Sequence, residues 1–300
     1  MIPPLFPFFA RQENSMQPSG IISLITDFGL IDPYVGQMKG SILRRNPGVQ
    51  LVDLSHAISR QDIIGAAIAL HSSYAFFPPG TVHLIVVDPG VGSQRRILAA
   101  AGEEQIFVGP DNGILSLLLR DRIITRVYQI EKKELFADTV SSTFHGRDIM
   151  GPVAATLAGG LEPIAAVGPE VSLASCVCLD LPVASVSEKK ITGQVLQVDH
   201  FGNIRTTIRS TDLEHLEFLA DSQRCRVQIN EFAIQVKKAM STTYAEAEPG
   251  KLIALLDSAG YLEIAVNRGS AAELTGCRLG DPVQVACRPE RKKNKAAERS

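Results

Sequence analysis

Apolar positions in the first half of the chain fall into short runs separated by longer amphipathic stretches. Residues 21–26 form one such run and stop at Asp27. Asp32 and Pro33 then supply an N-cap and a proline at the first helical position, which predicts a helix to about Arg45, stopped by Pro47-Gly48. Residues 50–54 read as a second strand containing Asp53. Ser59 and Asp62 have capping-box spacing, and the helix predicted after them is apolar at Ile63, Ile64, Ala67 and Leu70. Residues 82–87 are apolar apart from His83 and rich in β-branched side chains, the pattern of a strand buried on both faces. That run stops at Asp88. Pro89, Gly90 and Gly92 make an irregular turn, and Arg95 and Arg96 follow. Further strands are predicted at 97–101, 106–108 and near 123–130, and helices at 114–120 and 147–158. Pro152 must sit in the first turns of the last helix or kink it.

Strand and helix alternate to about Pro169, which predicts an α/β N-terminal domain with a largely parallel sheet. Beyond it helices become scarce. β-rich runs at 191–198, 224–236, 252–256, 261–266 and 282–287 predict a smaller, mostly antiparallel β-barrel-like C-terminal domain. The expected division is a disordered extension over 1–20, domains at 21–180 and 181–288, and a basic disordered tail over 289–300.

Composition narrows the function. The net charge of −2 creates no field that would gather nucleic acid, and no apolar run approaches the ~18 residues of a membrane span. Five cysteines, a Cys176-Val177-Cys178 pair and three scattered ones, match no zinc spacing, and their odd number argues against a disulfide framework. A cytoplasmic protein is expected. The G-x-G of Gly90 and Gly92 has Arg95 where a dinucleotide fingerprint needs its third glycine. The phosphate-loop lysine, H-E-x-x-H and G-x-S-x-G motifs are missing as well.

Asp27, Asp53, Asp88 and Asp111 each lie at or near the carboxyl end of an apolar run, suggesting a polar crevice along one edge of the sheet. Asp27 either accepts hydrogen bonds from a vicinal diol or caps a helix. His145, in Thr143-Phe144-His145-Gly146-Arg147-Asp148, either faces that crevice or is simply solvated at a helix start. Asp199-His200-Phe201-Gly202-Asn203 offers an acid, an aromatic face and an amide, and also has the chemistry of a hairpin turn. These features describe an enzyme or binding protein for a small polar ligand bearing a diol. A metal-dependent phosphoesterase using the four aspartates and a non-catalytic nucleoside sensor stay open beside it.

In order along residues 21–287, Thr26-Asp27-Phe28-Gly29, Gln37-Met38-Lys39-Gly40, Asp88-Pro89-Gly90-Val91-Gly92 with Arg95, Gly109-Pro110-Asp111-Asn112-Gly113, Phe144-His145-Gly146-Arg147-Asp148, Asp199-His200-Phe201-Gly202-Asn203 and Ser258 with Gly260-Tyr261 resemble the S-adenosyl-L-methionine (SAM) hydroxide adenosyltransferases, relatives of SAM-dependent chlorinases and fluorinases. The resemblance implies a homotrimer with active sites at subunit interfaces, no cofactor, and hydrolysis of SAM to adenosine and L-methionine. It makes Asp88, Arg95 and His145 the group that handles the attacking water. Asp27 would hold the ribose hydroxyls, Asp199 and Ser258 the methionine end, and Phe201 and Asn203 the adenosine end. Two departures bear on this. The halogenating relatives carry tyrosine and threonine where this chain has Asp88 and Val91, and a carboxylate there repels a halide. Ala259 replaces an arginine that helps at the methionine end in some relatives.

Overall fold

The computed structural model describes residues 16–187, 190–214, 223–236 and 240–289. Residues 1–15 of the expected extension and 290–300 of the expected tail lie outside the described residues. Two compact units divide between Leu179 and Asp180.

The first unit runs β1 (Ile21–Thr26), α1 (Tyr34–Arg45), β2 (Gln50–Ser55), α2 (Ile63–Ser73), β3 (Val82–Val86), β4 (Ile97–Gly102), β5 (Ile106–Pro110), α3 (Ser116–Arg120), β6 (Ile124–Gln129), α4 (Gly151–Ala158) and β7 (Glu170–Val171). Its sheet order is β2-β1-β3-β5-β4-β6-β7. The first four in that order are parallel neighbours, and β4, β6 and β7 extend the sheet in antiparallel pairing. Period-2 alternation sends Ile22, Leu24, Leu84 and Val86 to the face covered by α1 and α4, and Ile25, Ile85 and Val87 to the face covered by α2 and α3. The central strand β3 is therefore buried along its whole length.

Two helix starts differ from the sequence expectation. Asp32 does not cap α1: Pro33 occupies the N-cap position, with no side-chain cap, so burial of Val35, Met38 and Ile42 and the basic Arg44 and Arg45 at the carboxyl end hold the helix instead. For α2 the cap is Asp62 rather than Ser59, with the carboxylate accepting from the Gly65 N–H at 2.8 Å. The helix expected from Arg147 opens as a π-helical turn, Gly146–Met150, and becomes α-helical at Gly151, with Pro152 in its first turn as expected.

The second unit contains β8 (Ser185–Ser187), β9 (Lys190–Val198), β10 (Ile204–Arg209), α5 (Ser210–Glu214), β11 (Gln223–Ile229), β12 (Phe232–Val236), β13 (Leu252–Leu256), β14 (Tyr261–Val266), α6 (Ala271–Thr275) and β15 (Pro282–Pro289). The order β12-β11-β15-β9-β10-β14-β13 is antiparallel throughout, with β8 added on β9, and its end strands approach one another in a barrel-like closure. The run at 224–236 splits into β11 and β12 at a turn where Asn230 adopts a φ of 48°. Strand β10 was missing from the sequence reading because Arg205, Thr206, Thr207 and Arg209 disguise its apolar positions, although both threonines are buried. Contrary to the cysteine count, Cys225 is disulfide-bonded. Cys287 stands opposite it in the pairing of β11 with β15, a juxtaposition that spacing in sequence does not reveal.

Candidate active site

Parallel strands β1 and β3 are neighbours, so the residues just past their carboxyl ends, Asp27 and Asp88, emerge side by side. The segment preceding α4 closes over them. Gly92 (φ 79°) makes this approach possible, because a Cβ there would collide with the Ser142 carbonyl. The π-helical turn then sets His145 at its start. A cavity of about 240 Å³ results, walled by Asp27, Gln61, Asp88, Val91, Phe144 and His145 among others.

Arg95 is not part of that wall. It lies behind Asp88, and both side chains are nearly buried, 10% and 5% exposed. Its Nε donates to Asp88 Oδ1 and Oδ2 at 2.9 Å each, and its Nη2 to Oδ2 at 2.5 Å. The same Nη2 reaches His145 Nδ1 at 2.8 Å. A guanidinium can only donate, so Nδ1 is the accepting nitrogen and the neutral ring carries its proton on Nε2. Burial, followed by the Arg95 charge, pushes the His145 pKa below its ordinary value, while Asp88 and Asp148 oppose that shift. The counting at Asp88 is also informative. Oδ2 accepts two hydrogen bonds and Oδ1 one, which leaves Oδ1 able to accept another from the cavity.

Asp148 supports this arrangement. Its carboxylate accepts from the Ser141 N–H at 2.8 Å and from Arg147 Nε at 2.6 Å, bracing the loop that presents His145. Arg147 in turn lies 4.8 Å over the Phe144 ring, which packs edge-on against Phe28 and Tyr34.

Of the four strand-end aspartates, only Asp27 and Asp88 reach the cavity. Asp53 pairs with Lys39 at 2.7 Å, and Asp111 with Arg96 at 2.6 Å. The metal-site alternative required them to converge, and among the described residues no group of three His, Cys, Asp or Glu side chains does so. The Asp27 carboxylate accepts from the Gln61 N–H at 2.9 Å. It does not cap α1. Gln61 was missed by the sequence reading: its contribution is a backbone amide aimed by a φ of 63°, and a glutamine carries no signal for that conformation.

The remaining candidates belong to the second unit. Asp199 organises the loop between β9 and β10: Oδ1 accepts from the N–H groups of Phe201 (2.8 Å) and Asn203 (2.9 Å), and Oδ2 from Asn203 Nδ2 (3.2 Å). The loop is thus a turn, and it also presents Phe201, 74% exposed, while burying Asn203. Ser258 sits in the loop between β13 and β14. There Asp257 accepts from the N–H groups of Ala259 and Tyr261 and from Arg205 Nε. Glu263 beside them is buried and receives the Tyr244 O–H at 2.9 Å. Burial raises its pKa, and the charges of Asp257 and Asp199 add to the rise.

Comparison with known proteins identifies the family. The profile of the SAM hydroxide adenosyltransferase N-terminal domain matches residues 22–168, and that of the C-terminal domain matches 193–284. The chain belongs to the SAM hydroxide adenosyltransferase family. It is 36% identical over 271 residues to an (R)-S-adenosyl-L-methionine hydrolase of Salinispora tropica, covering 90% of this chain and 99% of that one. It is 38% identical over 271 residues to an (R)-S-adenosyl-L-methionine hydrolase of Thermus thermophilus, covering 88% and 98%. Among solved structures, an uncharacterized conserved protein of Thermotoga maritima superposes with a TM-score of 0.82 at 35% identity, covering 88% of this chain and 99% of that one.

Proposed function

We propose that this adenosyltransferase-family chain hydrolyses SAM, by attack of water on C5′, to adenosine and L-methionine. The observation that carries the reading is Asp88 and His145, both held by Arg95, at the wall of the cavity that also contains Asp27. The sulfonium leaves as a neutral thioether and needs no protonation, so the demanding part is the nucleophile. Asp88 Oδ1 accepts a hydrogen bond from the water and aims its lone pair, a positioning contribution. As the C5′–O bond forms and the C5′–S bond breaks, the water gives up one proton toward Asp88 Oδ1 and on to solvent, the His145 Nε2–H donates to that same water oxygen, and Arg95 fixes both side chains without entering the cavity. No cofactor is required by this chemistry. A halide in the water's place would meet the Asp88 carboxylate in a poorly solvated pocket, so water is the accepted nucleophile.

Asp27 would accept from the ribose hydroxyls and Asp199 from the methionine ammonium, with Ser258 at the carboxylate and Phe201 and Asn203 at the adenosine. The two relatives above are named for the (R) sulfonium epimer, and we assign the same epimer preference to this chain. A homotrimer in which neighbouring copies complete each site belongs to this reading. It is supported by the division of the ligand groups between two units. Residence in the cytoplasm, where SAM is made, belongs to it too. Among the described residues no helix is long and apolar enough to cross a membrane.

Chromatography of the purified chain incubated with each SAM epimer tests the activity: adenosine and methionine in equal amounts, formed faster from the (R) epimer and unaffected by chelator, are expected. Binding without turnover would replace the reading with that of a sensor. Mixing Asp27→Ala and Asp199→Ala proteins after subunit exchange tests the shared site, since recovered activity requires groups from two copies.

A further inference from the structure

Behind the Asp27 loop lies a buried histidine that touches none of the cavity. His56 is 5% exposed. It follows β2, whose register against β1 slips between Leu24 and Ile25, so that Leu24 faces Asp53 while Ile25 faces Ser55. Such a bulge re-aims the residues after it, and here it turns His56 under the neighbouring strand end.

From there the segment 56–61 grips residues 26–29 at three points. The His56 ring meets Thr26 through Nδ1···Oγ1 at 2.8 Å. The His56 carbonyl accepts the Gly29 N–H at 2.8 Å, which a φ of 68° at Gly29 points toward it. The Gln61 N–H, from its left-handed backbone, donates to Asp27 Oδ2. Backbone held in so sparsely populated a conformation persists where the surroundings over-determine it, and such residues cluster at functional sites. The chain of contacts continues on both sides. Thr26 Oγ1 also accepts the Phe28 N–H at 3.3 Å, and in the tautomer that puts the ring proton on Nε2, on the side of the Asp53 carboxylate, the threonine O–H donates to His56 Nδ1. That Nε2 lies 3.1 Å from Asp53 Oδ1, close but off the line of a hydrogen bond, and Asp53 is paired with Lys39 on α1.

We infer that His56 is a positioning residue for the ribose end of the site: it acts through Thr26 and the 26–29 loop to fix the direction of the Asp27 carboxylate. This rests on the assignment of Asp27 to the ribose hydroxyls. Asp27 follows directly on the last residue of β1, and its two neighbours along the clamp are what remove its freedom before ligand arrives. Preorganisation of that kind lowers the cost of binding without adding a contact to the ligand. The Asp88–Arg95–His145 group stands on other segments, so loss of His56 leaves it in place.

The test compares dissociation constants of adenosine and 2′-deoxyadenosine by calorimetry, together with KM and kcat for SAM, in the full chain and in His56→Ala, His56→Asn and Thr26→Val proteins. The wild-type chain should prefer adenosine by about tenfold or more, the worth of a hydrogen bond to a charged group. His56→Ala and Thr26→Val should each cut that preference severalfold and raise KM, with kcat changed much less. His56→Asn, whose amide oxygen can take the Thr26 proton, should recover most of the preference. Thr26→Val keeps the shape of the core, so the test stands even where His56→Ala does not fold. Variants that are less heat-stable yet keep the wild-type preference would overturn the inference and leave His56 a packing residue. A wild-type chain indifferent to the 2′ hydroxyl would overturn the ribose assignment itself, and this inference with it.

Discussion

The two units use carboxylates in opposite ways. In the first, Asp88 is held by another side chain, Arg95, which also holds His145. Its loop is shaped by Gly92 and covered by the segment before α4, and one oxygen keeps capacity toward a cavity. In the second, Asp199 turns inward to the N–H groups of its own loop, Asp257 is shared between its loop's N–H groups and Arg205, and the aromatic that the Asp199 loop presents, Phe201, stands in solvent. On the proposed reading, the first region is a preassembled reaction centre and the second a pair of turns that offers surfaces for recognition. Rate should therefore live in the first unit and affinity in the second.

The sharpest way to break that contrast is mutation of the first unit's polar group. Asp88→Ala, Arg95→Ala and His145→Ala should each lower kcat by about 10²–10⁴-fold, with far smaller changes in SAM affinity. Steady-state kinetics of the double variants should show effects well short of additive, since one guanidinium joins the other two. Equal losses from Asp199→Ala in kcat would erase the distinction.

A second contrast is in acid stability. Burial pushes the fully enclosed His83 in β3 down to about 4, against the hydrogen bond to Gln105 that favours its charged form. Below its ordinary 6.5 the unfolded chain takes up a proton that the folded chain refuses. The first unit should therefore lose about 3 kcal/mol as the pH falls from 6.5 to about 4. Denaturant titrations across that range read the loss directly, and His83→Gln should flatten the slope. His145, also shifted down, adds to it in the same direction.

The fold was legible wherever pattern and burial coincide. Residues 82–87 read as a buried strand because both faces of β3 are covered by helices. Legibility failed where partners come from elsewhere in the chain. Buried Thr206 and Thr207 hid β10, because hydroxyls that are satisfied in the fold look like surface in the sequence. Asp32 looked like a cap and is not one. At the site, Asp27, Asp88, Arg95 and His145 were visible as residue types at loop positions. The supporting roles of Gln61, His56 and Asp148 were not, since each depends on a backbone angle, a register slip or a neighbour brought in by folding.

In the recognition unit, Asp199→Ala should raise KM for SAM by roughly tenfold while kcat stays within a few-fold, the pattern of lost uniform binding. Retention of the wild-type KM would remove Asp199 from the methionine end. The smallest expected effect concerns Glu263. Its raised pKa means that the folded chain holds the proton more tightly, so its contribution is present below the ordinary 4.5 and is lost as the pH climbs through the folded value. Glu263→Gln should thus modestly raise the neutral-pH melting temperature of the second unit, opposite in sign to the acid sensitivity of the first.

Turnover in heavy-oxygen water tests the central claim most directly. With SAM as substrate, mass spectrometry should find one labelled oxygen in the 5′ hydroxyl of adenosine and none in methionine, and added chloride or fluoride should yield no halogenated nucleoside. Label in methionine, or a halogenated product in place of labelled adenosine, would contradict attack of an Asp88-oriented water on C5′.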